Sequence, residues 1–309
     1  MEKTKTFFEE ISDFLGPKEN RYFASGYKSI NILYRDMIYH SGILSTSISV
    51  QLGENWSRKK GQNLKPHLGT TEFISIAAVM AQQLMEKELY LNHEDIKISW
   101  ISRLAFKIKK CEYADYYSIP VSGKIISTTR AGDHFTTRFN IRIGSLIVLL
   151  DVCHPPKSSI KHIPTDHMID LYQKGYKLRD HTITDVSLDE EDMTSSGHIS
   201  LYDCCGEKKG IGARYSGIIL TDFILIIGQL IQAFLYNMNH VNRENSNNLW
   251  LREVDAYCET PSTGMSYSSQ VKFVNINIIQ KSDETWQSVA VMSNIGNITS
   301  EIKVAQKIH

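Results

Sequence analysis

A single carboxylate, Asp222, lies inside a long apolar segment of the sequence. The segment RYSGIILTDFILIIGQLIQAFLY runs from Arg214 to Tyr236 and is otherwise almost uncharged. A carboxylate in apolar surroundings must be protonated, paired or hydrogen-bonded, and acids of this kind are often found at functional sites. The alternative is an acid that backbone N–H groups hold for structure alone. Asp222 is therefore a candidate catalytic acid whose surroundings have to be explained.

A histidine, His67, stands just before a second helical segment, NLKPHLGTTEFISIAAVMAQQLMEK. Imidazole titrates near neutral pH, so a histidine at the mouth of a helix is the best candidate for a general base. A loop histidine that only packs or caps locally is the alternative. Glu72 could complete a pair with His67, although acids are common in the first turn of helices for reasons of capping and dipole.

Groups near the two helix starts could bind an acyl thioester. The backbone N–H groups of Gly69, Thr70 and Gly217 could receive its oxygen, because the first N–H groups of a helix have no partner within it. Basic loops before the helices could bind the phosphates of a pantetheine arm, with solvated charge as the alternative. The candidate substrate-binding side chains in these loops are Lys65, Arg214 and Tyr215.

Charge and motifs exclude several classes of function. The 309 residues carry 34 Lys and Arg against 34 Asp and Glu, so no overall field attracts nucleic acid. The histidines show no spacing typical of zinc ligands, and no metal is expected. Glycine-rich nucleotide-binding motifs and the G-x-S-x-G motif are absent from the sequence, which gives no support to nucleotide use or a serine nucleophile.

Cysteine usage and the N-terminal residues predict a cytoplasmic location. The five cysteines form no C-x-x-C pair, and their odd number argues against a disulfide framework. The start MEKTKTFFEEISDFLGPKENRYF lacks the apolar core of a signal peptide. It predicts a short amphipathic helix that ends near Gly16 and Pro17.

The apolar segment is long enough to cross a membrane, but its composition favours a core helix. Residues 217–236 match the length that a bilayer requires. Asp222, Gln229 and Gln232 would then lie in hydrocarbon, and a central Asp alone costs about 2.5 to 3.5 kcal/mol. We therefore expect no membrane span, and a helix enclosed by protein on nearly every side.

An internal repeat relates the two helical segments. Gly69 and Gly217 are 148 residues apart, and each follows an alternating segment and a basic, glycine-containing loop. Four runs of alternating polar and apolar residues follow each helix. Each half is therefore predicted to contain two strands, one long helix and about four further strands.

This order of elements resembles the hotdog fold, in which an antiparallel sheet curls around a central helix. Two copies imply an α+β double hotdog, with the sheets joined edge to edge. The interpretation divides the chain into a first hotdog unit with the N-terminal helix (1–153), a linker (154–180) and a second hotdog unit (181–309). In hotdog dehydratases and thioesterases, a histidine before one helix and an acid on the other face one site. The resemblance therefore places His67 and Asp222 around a shared cavity.

A closer resemblance covers most of the chain. DFLGPKENRYFASGY, NWSRKK and LKPHLGTTE resemble segments of the avirulence protein D family of plant-associated bacteria, the syringolide synthases, which are similar in function to the γ-butyrolactone synthases. The resemblance implies an acyltransferase that joins a β-ketoacyl thioester to a small sugar or polyol and closes a butenolide or syringolide-like lactone.

The same resemblance implies the donor and leaves two other functions open. Acyl-CoA or an acyl carrier protein would supply the thioester, no further cofactor is expected, and a homodimer is compatible with the fold. One alternative is a hotdog dehydratase or thioesterase, although Leu225 stands where the dehydratases have a glutamine. The other is a protein that binds acyl ligands without catalysis.

Overall fold

The structure is a computed structural model of the 309-residue chain, and it describes residues 5–53, 56–59, 61–65, 67–108, 116–158, 167–281 and 283–308. Strands dominate it, and two long helices lie among them.

The first half of the chain follows an order of strands, long helix and strands. Its elements are β1 (Lys5–Glu10), α1 (Ile11–Leu15), β2 (Asn31–Tyr34), β3 (Ile38–His40), β4 (Ile43–Gln51), β5 (Arg58–Lys59), β6 (Gln62–Asn63), α2 (Thr70–Lys87), α3 (His93–Lys97), β7 (Trp100–Lys107), β8 (Ile119–Ala131), β9 (His134–Ile143) and β10 (Leu146–His154).

The second half repeats this order. Its elements are β11 (Ile169–Asp170), β12 (Arg179–Asp189), β13 (Thr194–Asp203), β14 (Lys208–Lys209), α4 (Leu220–Met238), β15 (Leu249–Cys258), β16 (Ser266–Lys281), β17 (Glu284–Ile295) and β18 (Ile298–Lys307). The predicted strands after each helix are confirmed, because alternating residues along them face the core and the solvent.

One sheet of 14 strands joins the two halves. Its order is β1-β12-β13-β16-β17-β18-β15-β7-β10-β9-β8-β4-β2, with β3 also paired to β4. The halves meet where β7 and β15 pair antiparallel, with Phe106 opposite Val254 and Leu104 opposite Ala256. The predicted joining of the two sheets edge to edge is therefore confirmed.

Each long helix packs against the strands of its own half, and the two helices contact each other. Nearly every side chain of α4 is buried, including Phe223, Leu225 and Phe234. Among the described residues α4 is the one helix long and apolar enough to cross a membrane, but 89% of its most apolar 18-residue window is buried inside the protein. It is a core helix, because the sheet covers the faces that a membrane helix would expose to lipid.

The chain therefore has the predicted double hotdog fold, with an antiparallel sheet around each long helix. The last strand of the first half ends at His154, and the first long strand of the second half begins at Arg179.

The prediction for the N-terminus is wrong over residues 5–10. These residues form β1, which pairs with β12 at the edge of the second half, with Phe8 opposite Val186. Only Ile11–Leu15 are helical, and the helix stops at Gly16, whose φ of 79° is in the left-handed region that glycine tolerates. Without β1, the edge of β12 would leave backbone N–H and C=O groups unpaired. Pairing with residues 5–10 satisfies these groups, and this gain outweighs the helical preference of the segment.

The two halves correspond at an offset of 149 to 150 residues, not 148. A 3₁₀ turn with the sequence Gly-Tyr-Lys begins at Gly26 and again at Gly175. The helices begin at Thr70 and Leu220, so their third residues, Glu72 and Asp222, occupy equivalent positions. The equivalent of His67 is consequently Gly217. This register changes the interpretation of the two acids.

Candidate active site

A cavity of about 80 Å³ lies beside the start of α2, between the two halves. The first half contributes the segment around Tyr22, the loop from Trp56 to Leu64 and the approach to α2. The second half contributes the start of β15, around Trp250, together with Gln232 of α4. This volume is sufficient for several water molecules, at about 10 to 15 Å³ each. We call it the first cavity.

His67 lines the first cavity between two tryptophans. Its ring centroid is 4.5 Å from that of Trp56 in an edge contact and 5.0 Å from that of Trp250, which stacks on it. Burial lowers the pKa of His67, although a hydrogen bond with the backbone of Lys65 opposes this effect. The imidazole is therefore neutral at neutral pH, which is the form able to accept a proton.

Glu72 is completely buried, and its hydrogen bonds connect it to Tyr22 rather than to His67. Its Oε2 accepts hydrogen bonds from the Tyr22 hydroxyl at 2.7 Å and the Gly69 N–H at 2.7 Å. Its Oε1 accepts one from the Thr71 hydroxyl at 2.9 Å. Burial raises the pKa of Glu72, and these hydrogen bonds oppose that effect. Glu72 thus caps α2 and fixes Tyr22, which itself lines the first cavity.

Asp222 is held in a buried ion network at the start of α4. Its Oδ2 lies 2.9 Å from Nε and 2.8 Å from Nη2 of Arg179. Arg179 also donates to Asp203 at 2.6 Å and to the Gly217 carbonyl at 2.8 Å. Lys208 completes the network, with its Nζ 2.5 Å from Asp203. Burial alone would lower the pKa of Arg179, but Asp222 and Asp203 raise it.

The first cavity does not bring His67 and Asp222 together. His67 lines this cavity, whereas Asp222 is absent from its walls and is 4% exposed. Because Glu72 and Asp222 are equivalent residues of the two halves, each caps the helix of its own half. The structure therefore gives no support to the predicted sharing of one cavity by His67 and Asp222, or to a His67–Glu72 pair.

The candidate backbone donors have different surroundings. The N–H of Gly69 donates to Glu72, and that of Gly217 donates to the Ser262 carbonyl at 3.0 Å. Both are therefore occupied, contrary to the prediction that they receive the thioester oxygen. Thr70 lines the first cavity as the first residue of α2, where helix geometry leaves backbone N–H groups without an acceptor in the helix.

The candidate side chains of the two basic loops lie outside the first cavity. Lys65 and Arg214 are exposed to solvent. Tyr215 donates its hydroxyl to the Ile98 carbonyl at 2.8 Å and lines a different, smaller cavity. No group of three or more His, Cys, Asp or Glu side chains arranged for a metal ion occurs within the described ranges.

The second cavity, of about 30 Å³, lies at the start of α4. Trp100 and Tyr172 line the second cavity, and they correspond in the repeat to Trp250 and Phe23 of the first cavity. Its other walls are mostly apolar, including Ile218 and Cys258. The two cavities thus occupy equivalent places in the two halves, but only the first has a histidine in its wall.

Several residues of the first cavity were not predicted from the sequence. Trp56 and Trp250 flank His67, Tyr22 lines the same cavity, and Arg21 and Arg243 bring positive charge to its walls. One signal could have pointed to Trp250: tryptophans recur at positions 100 and 250, the offset at which the two halves correspond.

Several solved structures resemble this chain at low identity. A conserved protein of unknown function with a hot dog fold from Alicyclobacillus acidocaldarius is 8% identical, with 89% of this chain and 96% of that chain covered and a TM-score of 0.41. The acyl-CoA thioesterase II TesB2 from Mycobacterium marinum is 8% identical, with 89% and 95% covered and a TM-score of 0.40. The dehydratase domain of RzxB from Pseudomonas fluorescens is 11% identical, with 88% and 97% covered and a TM-score of 0.35.

The fold and the cavity between its halves define a double hotdog protein with one candidate catalytic histidine. Comparison with curated proteins gives no match. The model of the family described as Pseudomonas avirulence D protein (AvrD) matches residues 5–309. The chain belongs to this family.

Proposed function

We propose that the protein is an acyltransferase that joins a β-ketoacyl thioester to a small sugar or polyol and closes the product to a lactone. Membership of the avirulence D family supports this proposal. The observation that carries it is the position of His67, a neutral histidine on the wall of a cavity made by both halves. The donor is an acyl-CoA or an acyl carrier protein.

His67 acts as the general base in this proposal. It accepts the proton of an acceptor hydroxyl, whose oxygen attacks the thioester carbonyl carbon. The new C–O ester bond forms as the C–S bond breaks, and the proton passes to the leaving thiolate. The carbon between the two carbonyls then gives a proton to the base and attacks the ketone carbon of a keto-sugar acceptor. The ketone oxygen takes up a proton, and its loss as water with a second proton of that carbon gives the unsaturated ring. The N–H group of Thr70, at the start of α2, can stabilise the oxyanion.

The surroundings of His67 suit this role. Trp56 and Trp250 fix the orientation of its ring, and a fixed base is more effective than a mobile one. The apolar residues Leu68, Phe73 and Ile108 line the same cavity and can contact an acyl chain. Tyr22 provides a hydroxyl in the wall, oriented by Glu72.

A substitution of His67 tests the proposal. His67→Phe keeps an aromatic ring between the two tryptophans but removes both nitrogens, so product should fall by about 100-fold, as expected for loss of a general base. Mass spectrometry of metabolites from cells that express wild type, His67→Phe or an empty vector measures the lactone. His40→Ala is the control, because His40 is an exposed histidine on β3.

Two results would contradict the proposal. Normal lactone production by His67→Phe would place the base elsewhere. Release of free acid or enoyl product without any sugar would identify a thioesterase or dehydratase instead.

A further inference from the structure

Three cationic side chains line the first cavity: Arg21, Lys59 and Arg243. We call them the cation cluster. Arg21 is 2% exposed and Arg243 is 5% exposed, while Lys59 is half-buried. Cations so far from solvent normally have acidic partners, because an unpaired buried charge is unfavourable.

The cation cluster donates mainly to neutral acceptors. Arg21 donates to the Gln229 side-chain oxygen at 3.0 Å and to the Ser12 hydroxyl at 2.9 Å. Lys59 donates to the Ser246 hydroxyl at 3.0 Å and to two backbone carbonyls.

Arg243 donates to the carbonyls of Arg58 and Asn20, at 2.7 and 2.5 Å. Among the ion pairs of the described residues, the cation cluster has one acidic partner, Glu244, 3.4 Å from Arg243 with a side chain that is 49% exposed. Arg179, by comparison, has two buried acids. The first cavity therefore carries an excess of positive charge.

The same imbalance affects the pKa values of the cluster. Burial and repulsion from Arg243 lower the pKa of Arg21 to about 10 and that of Lys59 to about 8. These effects outweigh the opposing charges of Glu19 and Glu10 on Arg21 and of Glu244 on Lys59. Burial lowers the pKa of Arg243 as well. A bound anion would oppose each of these effects, since an opposite charge favours the protonated form.

Two buried donors beside the first cavity lack an acceptor within the part of the chain that the structure describes. They are Nε of Arg21 and Nε1 of Trp56. Trp56 is 4% exposed and, like Arg21, lines the cavity. Buried N–H groups are nearly always hydrogen-bonded, so each of these calls for an acceptor atom. Both groups can only donate, which means that the missing partner supplies oxygens.

We propose that the cation cluster and Trp56 bind a phosphate monoester in the first cavity. A phosphate dianion offers three acceptor oxygens and nearly two negative charges. It therefore suits a cavity whose cationic side chains have few acidic partners. The inference rests on the proposed function for the identity of the ligand, which is either a phosphorylated sugar or polyol acceptor or the 3′-phosphate of a coenzyme A donor, both of them phosphate monoesters. Binding of the phosphate itself is a separate property and can be measured without turnover.

Titration calorimetry with inorganic phosphate tests this site on the full chain. At constant ionic strength, phosphate should bind, chloride should not, and Lys59→Gln should bind phosphate at least 10-fold more weakly. Trp56→Phe should also weaken binding, because it keeps an aromatic ring but removes the N–H. Arg130→Gln is the charge-matched control, since Arg130 is exposed on β8 and away from the cavity. Equal binding of phosphate and chloride, or wild-type phosphate affinity in both variants, would overturn the proposal.

Competition distinguishes the two sources of the phosphate. Ribose 5-phosphate is compared with ribose, and coenzyme A with dephospho-coenzyme A, which lacks the 3′-phosphate, as competitors of inorganic phosphate. A 10-fold or greater advantage for the sugar phosphate over ribose assigns the site to the acceptor, and the same advantage for coenzyme A over dephospho-coenzyme A assigns it to the donor. If neither phosphorylated compound displaces inorganic phosphate, the site does not bind phosphate monoesters. Since every readout is binding, a lack of lactone product would refute the proposed function without affecting this result.

Discussion

Arg179 determines what Asp222 can do. Its guanidinium donates one hydrogen bond to Asp222 and one to Asp203, its Nη2 lies 2.8 Å from the same Asp222 oxygen, and all three side chains are largely buried. Movement of this carboxylate toward a substrate would leave the buried Arg179 charge partly unpaired. The acid in the apolar segment is thus paired, and its network connects the start of α4 to β12 and β13.

Asp222→Asn should therefore destabilise the protein more than it affects chemistry. The amide removes the negative charge beside Arg179 and presents a poorer acceptor, so the free energy of unfolding should fall by about 1 to 3 kcal/mol. Product formation, assayed below the lowered melting temperature, should stay near the wild-type rate. Thermal denaturation and lactone mass spectrometry on one preparation measure both effects.

A matched control is Asp36→Asn, at an exposed position. It should change neither the melting temperature nor the product. If Asp222→Asn instead kept its melting temperature and lost product by 100-fold, Asp222 would be catalytic and its ion pair would have to open during turnover.

His181 should make stability dependent on pH. It is buried, and its Nε2 lies 2.7 Å from the side-chain nitrogen of Gln229, whose oxygen accepts from Arg21. The ring nitrogen must therefore accept, which only neutral imidazole can do. Burial lowers the pKa of His181 to about 4.

The unfolded chain binds this proton near the ordinary pKa of about 6.5, so stability is fully present above that pH and is lost as the pH falls toward 4. The loss should reach about 3 kcal/mol from this group. Urea denaturation at several pH values gives the free energy of unfolding as a function of pH. Between pH 6.5 and about 4 this free energy should fall less steeply in His181→Gln than in wild type. An identical slope in the variant would mean that other groups control the acid transition.

The contacts of single side chains are the features that the sequence predicts least well. The type of His67 and its place before a helix were enough to select it. The contacts of its two tryptophans with His67 were not predictable, because one comes from an irregular loop and the other from the opposite half. Likewise, the Arg179 and Asp222 side chains meet across 43 residues of sequence. Such contacts depend on how the strands and helices pack, which residue spacing does not contain.

At the scale of elements, the 3₁₀ turn at Gly26–Ser29 positions the Trp56 loop. A Cβ atom on Gly26 would lie 1.7 Å from the Trp56 carbonyl oxygen, so only glycine allows this backbone approach. Trp56 in turn contacts His67. The turn therefore supports the site without touching the first cavity.

Gly26→Ala should displace the Trp56 segment. Forced overpacking typically costs about 1 to 3 kcal/mol, so the melting temperature should fall, and tryptophan fluorescence should report a changed environment. Lactone production should fall as well. Gly206→Ala is the control, because its Cβ would meet nothing within 4 Å and its φ is not positive. If Gly26→Ala kept the wild-type fluorescence spectrum and melting temperature, the turn would accommodate the added methyl group without displacing Trp56.

Most of the elements could be predicted because their periodicities are strong. Alternation identified the strands after each helix, and the length and apolarity of α4 identified a core helix. β1 was missed because its pairing with β12 is a tertiary contact between residues far apart in sequence. The register of the repeat was also missed, since aligning Gly69 with Gly217 ignored the helix caps that set the true offset.

At the scale of the whole molecule, two similar halves have diverged at their equivalent cavities. The first cavity contains His67 and the cation cluster, whereas the second is smaller and mostly apolar. Gly217 stands where the first half has His67, and Arg179 with Asp222 closes the start of α4. We therefore expect the chemistry at the first cavity, which both halves line, and a structural role for the second cavity.

This asymmetry predicts different outcomes for two equivalent tryptophans. Trp250 stacks on His67, while Trp100 lines the second cavity. Trp250→Leu should release the His67 ring and lower the lactone rate by about 10- to 100-fold, because small misplacement of a catalytic group is costly. Trp100→Leu should lose a similar amount of stability but retain the rate.

The pH profile of the reaction separates positioning from general destabilisation. Burial lowers the pKa of His67 in the wild type, so the rate should persist at mildly acidic pH and fall only when the ring is protonated. With Trp250 truncated, water reaches the ring and its pKa returns toward about 6.5. The acid limb of the profile should then move to higher pH in Trp250→Leu and stay in place in Trp100→Leu. If both variants lost the rate equally with unchanged profiles, both cavities would be required and the division between the halves would be wrong.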